Sequence, residues 1–355
     1  MIRLLIVEDS ALMRKLLGQI FVAEGDFEVE FARNGTEALN IIQTFKPDVV
    51  TLDIHMPSMD GLTCLDRIML EHPCPVVMVS SLTEEGAEET LAALEIGAVD
   101  FIAKPSGAIS LKMDELAPPL VEKVRLAAAV RIRRSRRLAE RVRMAQGGVP
   151  VVRRPVAGPS PGASSVPGLV LIGTSTGGPP ALDAVLSRLP ADFPWPVVVA
   201  QHMPGSFTGP LARRLDKICP MTVTEVTGQT RLTAGNIYIA RGDADILVSK
   251  RGGSLVAMVA PESPAYRWHP SVERLVQSAL KHVPPGDLIG VMMTGMGNDG
   301  AAAMAELKAS GGRTIAEAEE TAVVWGMPGE LVRLNGASVI RPLNEIGDHL
   351  VGWIG

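Results

Sequence analysis

Short apolar runs alternate with amphipathic stretches along the first third of the chain. The apolar runs are rich in Val and Ile and predict strands: RLLIVED, VEFA, DVVTLDI, CPVVMVSS and VDFIAKP. The stretches between them, such as SALMRKLLGQIFVAEG and GTEALNIIQTF, have the spacing of amphipathic helices. Five β-α units of this kind predict a doubly wound α/β domain built on a parallel sheet.

The last part of the chain repeats this alternation with different segments. Strands are predicted for GLVLIG, WPVVVAQH, NIYIA, LIGVMMTG and GRTIA, and helices for PPALDAVLSRLP, HPSVERLVQSALKHV and GAAAMAELKAS. The pattern predicts a second α/β domain with a mostly parallel, Rossmann-like sheet. Sites in such sheets gather at the carboxyl ends of the strands, so polar residues at those ends are the first candidates for function.

A basic connector separates the two patterns. VRLAAAVRIRRSRRLAERVRM predicts a helix, and GGVPVVRRPVAGPSPGASSVPG predicts a flexible or extended segment. We therefore expect domains at 1–123 and 167–355, joined by a linker at 124–166. The arginines favour a solvated linker helix or a surface that attracts an acidic partner. A nucleic-acid role is disfavoured because the sequence has no base-reading module.

Charge supports this division. Residues 1–125 contain 10 basic and 21 acidic side chains, residues 126–166 contain 9 and 1, and residues 167–355 contain 15 and 17. The overall composition, 46% hydrophobic and 21% charged, is that of a soluble globular protein. No apolar run is long enough for an integral membrane segment, and MIRLLIVEDS reads as a first strand rather than a signal peptide. Three scattered cysteines form no CxxC pair, which predicts a reducing, cytoplasmic setting.

Acids and a lysine follow successive strands of the first domain. Glu8 and Asp9 end the first strand, Asp53 the third and Ser80 the fourth, and Lys104 follows the fifth. Clustered carboxylates bind a hard cation such as Mg²⁺, and a cation with an ammonium group neutralises a transferring phosphoryl group. Each residue alone is typical of a cap or a loop, but together they predict a carboxylate that accepts phosphate.

The second domain begins with LVLIGTSTGG, where glycines surround a serine. A phosphate cradle is disfavoured, because no GK[ST] follows and the GxGxxG spacing is incomplete. A purely structural turn is one alternative. The other is a nucleophile, since Gly173, Ser175 and Gly177 fit G-x-S-x-G between a strand and a helix.

A serine nucleophile needs a base and an orienting acid. His202 ends the run WPVVVAQH, and Asp299 lies in VMMTGMGNDGAAAM, which also reads as a strand, a glycine-rich loop and a helix. A structural histidine and a simple Asn-Asp-Gly turn are the alternatives. The order Ser175, His202, Asp299 differs from the Ser, acid, His order of α/β-hydrolases. A triad here would therefore sit on a different, Rossmann-like sheet.

The first domain resembles the receiver domain of bacterial two-component response regulators. The resemblance implies that Asp53 is the phosphoacceptor, that Lys104 contacts the phosphate and that Ser80 is the switch hydroxyl. It also implies a Mg²⁺ site formed by Glu8, Asp9, Asp53 and the backbone carbonyl of His55.

The chain as a whole resembles the CheB family of chemotaxis protein-glutamate methylesterases. The matching segments are IGTSTGG, VVVAQHMPGSFT, MMTGMGNDGA, WGMPG and RWHPSVERL. The resemblance implies Ser175 as nucleophile, His202 as base and Asp299 as its orienting partner, with oxyanion donors from Met296 and Thr176. IYIARGDADILV departs from the family: Arg241 precedes Gly242 where the family often has Pro, and Asp245 replaces a histidine.

The resemblance also implies a reaction and its partners. The enzyme would hydrolyse glutamate methyl esters, and deamidate glutamines, on methyl-accepting chemoreceptors, with no cofactor in the esterase site. A chemotaxis sensor histidine kinase would supply the phosphate, and phosphorylation would uncover the esterase site. The alternatives are a related esterase with another protein substrate, a phosphorylation-controlled binding protein and a DNA-binding regulator.

Overall fold

The computed structural model describes residues 1–104, 109–130 and 168–354, with only the backbone for 109–116. These residues fall into two compact units, one within Met1–Pro150 and the other within Val151–Gly355. The arginine-rich part of the connector, and the flexible or extended segment after it, lie outside the described residues.

The first unit is a five-stranded parallel sheet with the strand order β2-β1-β3-β4-β5. Its elements follow in the order β1 (Ile2–Val7), α1 (Ala11–Glu24), β2 (Phe27–Ala32), α2 (Gly35–Phe45), β3 (Val49–Asp53), α3 (Gly61–Glu71), β4 (Val76–Ser80), α4 (Glu84–Ile96), β5 (Asp100–Ala103) and α5 (Ile109–Ala129). Helix α5 continues to Ala129, so it includes the first residues that we assign to the linker.

The interior strands of this sheet follow directly from the sequence. VVTLD in β3 and VVMVS in β4 are buried along their whole length, as expected for parallel strands covered on both faces. Polar side chains begin several helices: Ser10 accepts a hydrogen bond from the Met13 N–H, and Asp60 accepts one from the Thr63 N–H. These caps place the loops at the carboxyl edge of the sheet, where the predicted acids lie.

The second unit is built on a seven-stranded parallel sheet with the order β15-β14-β13-β6-β7-β10-β8. Its elements follow in the order β6 (Leu169–Thr174), α6 (Gly178–Leu186), β7 (Val197–Gln201), α7 (Gly205–Ile218), β8 (Thr222–Val226), β9 (Thr230–Arg231), β10 (Asn236–Ala240), β11 (Asp245–Arg251), β12 (Ser254–Ala260), α8 (Val272–Leu280), a 3₁₀ turn (Pro285–Asp287), β13 (Leu288–Met292), α9 (Ala301–Ala309), β14 (Arg313–Glu317), α10 (Met327–Arg333), β15 (Val339–Arg341) and α11 (Leu343–Ile354). The prediction of two parallel-sheet α/β domains is confirmed.

The sequence patterns did not predict the two edge strands of the seven-stranded sheet, β8 and β15, or a small antiparallel sheet with the order β11-β12-β9. Strands β11 and β12 form a hairpin whose turn contains Gly252 and Gly253, at φ of 54° and 80°. Consecutive glycines with positive φ are typical of tight hairpin turns, so the pair was the available signal. Strand β11 begins at Asp245, which the structure places next to the candidate active site.

Candidate active site and candidate phosphoacceptor site

Three neighbouring strands of the second sheet carry the predicted Ser, His and Asp. Strand β6 lies between β13 and β7, and Gly173 pairs with Met292 on one side and Ala200 on the other. Ser175 follows β6, His202 follows β7 and Asp299 lies in the loop after β13. Because parallel strands end at the same edge, the fold brings the three loops together.

The turn after β6 is built from glycines for two reasons. Gly177 has a φ of 76°, a left-handed conformation that side chains rarely adopt. A Cβ atom on Gly178 would lie 1.9 Å from Oε1 of Gln201, so a larger residue does not fit there. The backbone of Ser175 is held on both sides: its N–H donates to the Thr294 carbonyl at 3.0 Å, and its carbonyl accepts from Gly178 N–H at 2.8 Å.

His202 is fixed by its backbone and by one ring nitrogen. Its backbone N–H donates to the Thr174 carbonyl at 3.0 Å, and Nε2 lies 2.9 Å from Oδ2 of Asp299. The side chain is only 7% exposed, and Nδ1 is buried without a hydrogen-bond partner among the described residues. With a proton on Nε2 shared with the carboxylate, Nδ1 carries the lone pair that can accept a proton.

Asp299 accepts hydrogen bonds from the start of helix α8 as well as from His202. Oδ1 accepts from the Ser271 hydroxyl at 2.9 Å and from the Glu273 N–H at 3.1 Å, and Oδ2 accepts from the Val272 N–H at 2.6 Å. Burial raises the pKa of Asp299, but the contact with His202 and the two backbone donors outweigh it and lower the pKa below its usual value. The buried acid is therefore charged and fixed in orientation.

A second buried carboxylate, Asp245, accepts hydrogen bonds from residues around the start of the same helix, α8. It accepts hydrogen bonds from the Ser271 N–H at 2.8 Å, from Nδ1 of His269 at 3.1 Å and from Nη1 of Arg274 at 2.6 Å. Sequence reasoning treated Asp245 only as a departure from the family pattern. In the structure it anchors the residues that bind Asp299, and the signal available in the sequence was an acid at the start of an apolar strand.

Thr294 connects the serine loop to the two loops beside it. Its carbonyl accepts from Ser175 N–H, and its hydroxyl donates to the Thr176 carbonyl at 2.8 Å and accepts from the Val324 N–H at 3.0 Å. Its own N–H donates to Oε2 of Glu317 at 2.8 Å. Thr176, a predicted oxyanion donor, therefore lies in a stretch of backbone that Thr294 holds at the Ser175 N–H and at the Thr176 carbonyl.

Met296, the other predicted oxyanion donor, follows Gly295, whose backbone N–H and carbonyl are both hydrogen-bonded. Gly295 donates its N–H to the Val324 carbonyl at 2.9 Å and accepts from the N–H groups of Gly326 and Met327 at 3.1 and 2.8 Å. These bonds fix the backbone that leads into Met296. The structure thus places Met296 and Thr176 in loops that are joined to each other through Thr294.

Glu317, at the end of β14, is a buried acid that the sequence patterns did not single out. Its side chain is fully buried and accepts from Thr294 N–H and from the Thr321 hydroxyl, the latter at 3.0 Å. Burial raises the pKa of Glu317 to about 7, although both hydrogen bonds lower it. This acid supports the loop that holds the serine backbone.

In the first unit, Lys104 joins two acids at the carboxyl edge of the sheet. Its Nζ lies 2.8 Å from Oδ2 of Asp53 and 3.0 Å from Oε2 of Glu8. Burial, together with the charge of Asp53, raises the pKa of Glu8 to about 7, against the opposing effect of Lys104. Burial lowers the pKa of Lys104, but the contacts with Asp53 and Glu8 outweigh it and raise the pKa. The arrangement concentrates negative charge around one ammonium group.

The remaining predicted residues of this unit lie around the same edge. Ligand oxygens of Glu8, Asp9 and Asp53 lie within 4.8 Å of one another, a spacing that suits one hard cation bound through oxygen. The His55 N–H donates to Oδ1 of Asp53 at 3.4 Å, while its ring contacts Glu89 at 3.1 Å. The three carboxylates therefore fit Mg²⁺.

The Ser80 hydroxyl is hydrogen-bonded to backbone carbonyls. It is buried and lies 3.1 Å from the Gly86 carbonyl and 3.3 Å from the Ser81 carbonyl, so its proton is shared between the chain just after β4 and the start of α4. A switch role for Ser80 requires it to leave these carbonyls, and that role stays a prediction.

Comparison with known proteins identifies the family. A family model described as CheB methylesterase matches residues 170–350, and one described as response regulator receiver domain matches residues 4–113. The chain belongs to the CheB methylesterase family. The catalytic domain of Thermotoga maritima CheB methylesterase superposes with a TM-score of 0.51 at 35% identity, covering 53% of this chain and 98% of that one.

Two relatives match over nearly their whole length. The protein-glutamate methylesterase/protein-glutamine glutaminase 2 of Rhodopseudomonas palustris is 56% identical, over 99% of this chain and 98% of the relative. The protein-glutamate methylesterase/protein-glutamine glutaminase 3 of Rhodospirillum rubrum is 55% identical, over 100% and 96%. Among the helices that the structure describes, none has the length and apolar character to cross a membrane.

Proposed function

We propose that this chain is a phosphorylation-activated protein-glutamate methylesterase and protein-glutamine glutaminase. The observation that carries the proposal is the contact between His202 and a charged, buried Asp299, beside the fixed backbone of Ser175. A base held by an acid next to a serine in a sharp turn is the arrangement that acyl transfer requires. The nearly full-length similarity to the Rhodopseudomonas and Rhodospirillum proteins supports these two activities.

The reaction proceeds through an acyl-enzyme at Ser175. His202 takes the serine proton on Nδ1 as the hydroxyl oxygen attacks the ester carbonyl carbon, and it then gives this proton to the departing methoxide, which leaves as methanol. Water, deprotonated in turn by His202, attacks the acyl-enzyme. His202 returns this proton to the Ser175 oxygen as the bond between that oxygen and the acyl carbon breaks, and the glutamate side chain leaves as a carboxylic acid, which ionises. A glutamine side chain follows the same steps and releases ammonia instead of methanol.

Asp299 and two backbone groups stabilise the charges that form. Asp299 holds the protonated ring of His202 through Nε2 and offsets its positive charge. We assign the oxyanion donors to the backbone N–H groups of Met296 and Thr176, because both lie in loops that Thr294 ties to the serine turn.

The first unit supplies the control. We propose that Asp53 accepts the phosphoryl group from a chemotaxis sensor histidine kinase and that Lys104 contacts the phosphate. Glu8, Asp9, Asp53 and the His55 carbonyl would hold Mg²⁺, which when bound neutralises phosphate charge. Ser80 then exchanges its bond to the Gly86 carbonyl for the phosphate. Phosphorylation uncovers the esterase site and shifts the population to an active form.

The substrates that we propose are methyl-accepting chemoreceptors, reached from the cytoplasm. The sequence has no base-reading module, so nucleic acid is not proposed as a partner. The esterase steps above use only side chains and backbone groups of this chain. The alternative, that this chain is a receiver-coupled esterase with a different protein substrate, is distinguished by the assay that follows.

The test is methanol release from a methylated chemoreceptor cytoplasmic fragment. Wild type would be compared with Ser175→Ala and Asp53→Ala, each with and without a small phosphodonor. We expect release that requires Ser175 and that rises with phosphodonor only when Asp53 is present. If a serine-directed probe labels Ser175 but no methanol appears, the enzyme hydrolyses a different substrate. If the probe does not label Ser175, the hydrolase proposal is wrong.

A further inference from the structure

Trp268 is an aromatic residue beside the base, in the loop between β12 and α8. Its indole ring is parallel to the imidazole of His202, with the ring centroids 5.7 Å apart and an angle of 4° between the planes. This distance and orientation lie within the range of favourable offset stacking. None of the reaction steps described above uses this side chain.

The hydrogen bond to Asp299 does not by itself fix the orientation of the His202 ring. The imidazole can rotate about its Cβ–Cγ bond, and one hydrogen bond at Nε2 restrains this rotation only in part. Such a turn moves Nδ1, the nitrogen that must meet the serine proton. A flat ring stacked on the imidazole fixes its plane and so fixes the direction of the Nδ1 lone pair.

Trp268 is itself held against the loop that carries the acid. A Cβ atom on Gly297 would lie 2.7 Å from Cζ2 of Trp268, so the indole rests on the bare backbone of that glycine. The guanidinium of Arg267 lies over the same indole, 5.2 Å from the ring centroid. The indole therefore has one close neighbour in its own loop, Arg267, and one in the loop between β13 and α9, Gly297, and these contacts make it a stable platform for His202.

The indole face also suits the charge that His202 acquires. When His202 takes the serine proton it becomes an imidazolium, and the negative face of an indole attracts a cation. The stacked ring thus favours the protonated form that exists after proton transfer. This second contribution needs an aromatic face, which an aliphatic side chain of similar size lacks.

We propose that Trp268 is a positioning residue for the base, which holds the plane of His202 and stabilises its protonated form. The inference rests on the proposed role of His202 in the hydrolase site. It adds a residue from the β12–α8 loop to a site whose other members follow β6, β7 and β13.

The experiment compares three full-length variants, Trp268→Phe, Trp268→Leu and a matched control, Trp353→Leu. Trp353 also contacts a histidine, but edge to face: its ring centroid lies 4.5 Å from that of His349 on helix α11, at an angle of 61° between the planes. Two rates are measured for each protein: methanol release from the methylated receptor fragment, and covalent labelling of Ser175 by a fluorophosphonate probe. Thermal unfolding of each variant shows whether it is folded.

We expect Trp268→Leu to lower kcat and the labelling rate about tenfold with little change in KM, since cation–π and orientation effects are of this size. Trp268→Phe should recover most of this loss, because it keeps an aromatic face, and Trp353→Leu should match wild type. Equal losses in the Phe and Leu variants, an effect on KM alone, or no effect would overturn the inference. If methanol release is absent but labelling still shows the expected pattern, the positioning role stands and only the proposed substrate is wrong.

Discussion

Each unit places acids at the carboxyl edge of its own parallel sheet, but the surroundings shift the pKa values of these acids in opposite directions. In the first unit, Glu8 and Asp53 share one ammonium group, and the pKa of Glu8 rises to about 7. In the second, Asp299 receives backbone and hydroxyl donors from a helix start, and its pKa falls. Glu8 and Asp299 are both almost fully buried, so the hydrogen-bond donors and charges around each carboxyl set the direction of its pKa shift.

The difference matches what each acid has to do. An acid cluster with too few donors attracts a cation and then a phosphoryl group, because both supply the missing positive charge. A carboxylate that already has four donors takes no further ligand and serves as a fixed negative charge beside a histidine. From the same strand-end position we therefore expect a binding site in one unit and an orienting group in the other.

The largest effect is expected from removing the fixed charge. Asp299→Ala leaves His202 without its orienting acid, and we expect kcat for methanol release to fall about 10³- to 10⁴-fold. Asp53→Ala, the matched change at the other sheet edge, should leave the rate without phosphodonor unchanged. A loss of basal activity in both variants would contradict the division of roles between the two acids.

The next effect distinguishes the phosphoacceptor site, which we expect to need Mg²⁺, from the esterase site, which we expect to work without it. Chelation of Mg²⁺ should reduce incorporation of label from a radioactive phosphodonor to background, as should Asp53→Asn, because both remove the phosphate site. Basal methanol release should be the same with and without chelator. The comparison is wrong if chelation lowers both the labelling and the basal hydrolysis.

A smaller effect is expected where the helix start is anchored. Asp245→Ala leaves the Ser271 N–H without its acceptor and removes the ion pair with Arg274, whose Nη1 keeps the Pro261 carbonyl. We expect a loss of about 2–3 kcal/mol in the free energy of unfolding. The control is Asp348→Ala, which removes an exposed pair with Arg188, 66% exposed at the acid, and should change stability by less than about 1 kcal/mol. Urea unfolding of the full chain measures both, and equal losses would show that Asp245 is no anchor.

The last effect appears only as a dependence of stability on pH. The folded-state pKa of Glu317 is about 7, above its usual value of 4.5, so the folded protein binds this proton more tightly than the unfolded chain. Its contribution to stability is therefore complete below about pH 4.5 and is lost as pH rises toward 7, by up to about 3 kcal/mol. Glu317→Gln removes this titration, and its stability relative to wild type should increase from pH 5 to pH 8.

The measurement for Glu317 is calorimetry of the full chain at several pH values. Glu8 shifts in the same direction, so the comparison is made in saturating Mg²⁺, which should remove much of the pH dependence that Glu8 contributes in the first unit. If the stability of Glu317→Gln relative to wild type is the same at pH 5 and pH 8, the carboxyl of Glu317 does not titrate as described.

The sequence by itself determined the five strands of the first sheet, the five interior strands of the second and the main candidates at their carboxyl ends. Apolar runs with β-branched residues mark the buried strands, and polar residues directly after them, such as Ser175, His202 and Asp53, fall at one edge because parallel strands must end there. The antiparallel β11–β12 hairpin was missed, because its strands read as a surface segment until their pairing is known. The roles assigned to the candidate residues of both sites stay predictions.

Only the tertiary structure decided how the site is supported. Asp245, Trp268 and Glu317 are far in sequence from the residues that they hold, so no local pattern shows which residues they contact. Their effect depends on distances of a few ångströms and on exclusion of water, which turn an ordinary acid or aromatic side chain into an anchor. Periodicity in a sequence records which face of an element is buried, but it does not record which side chains meet once the elements pack.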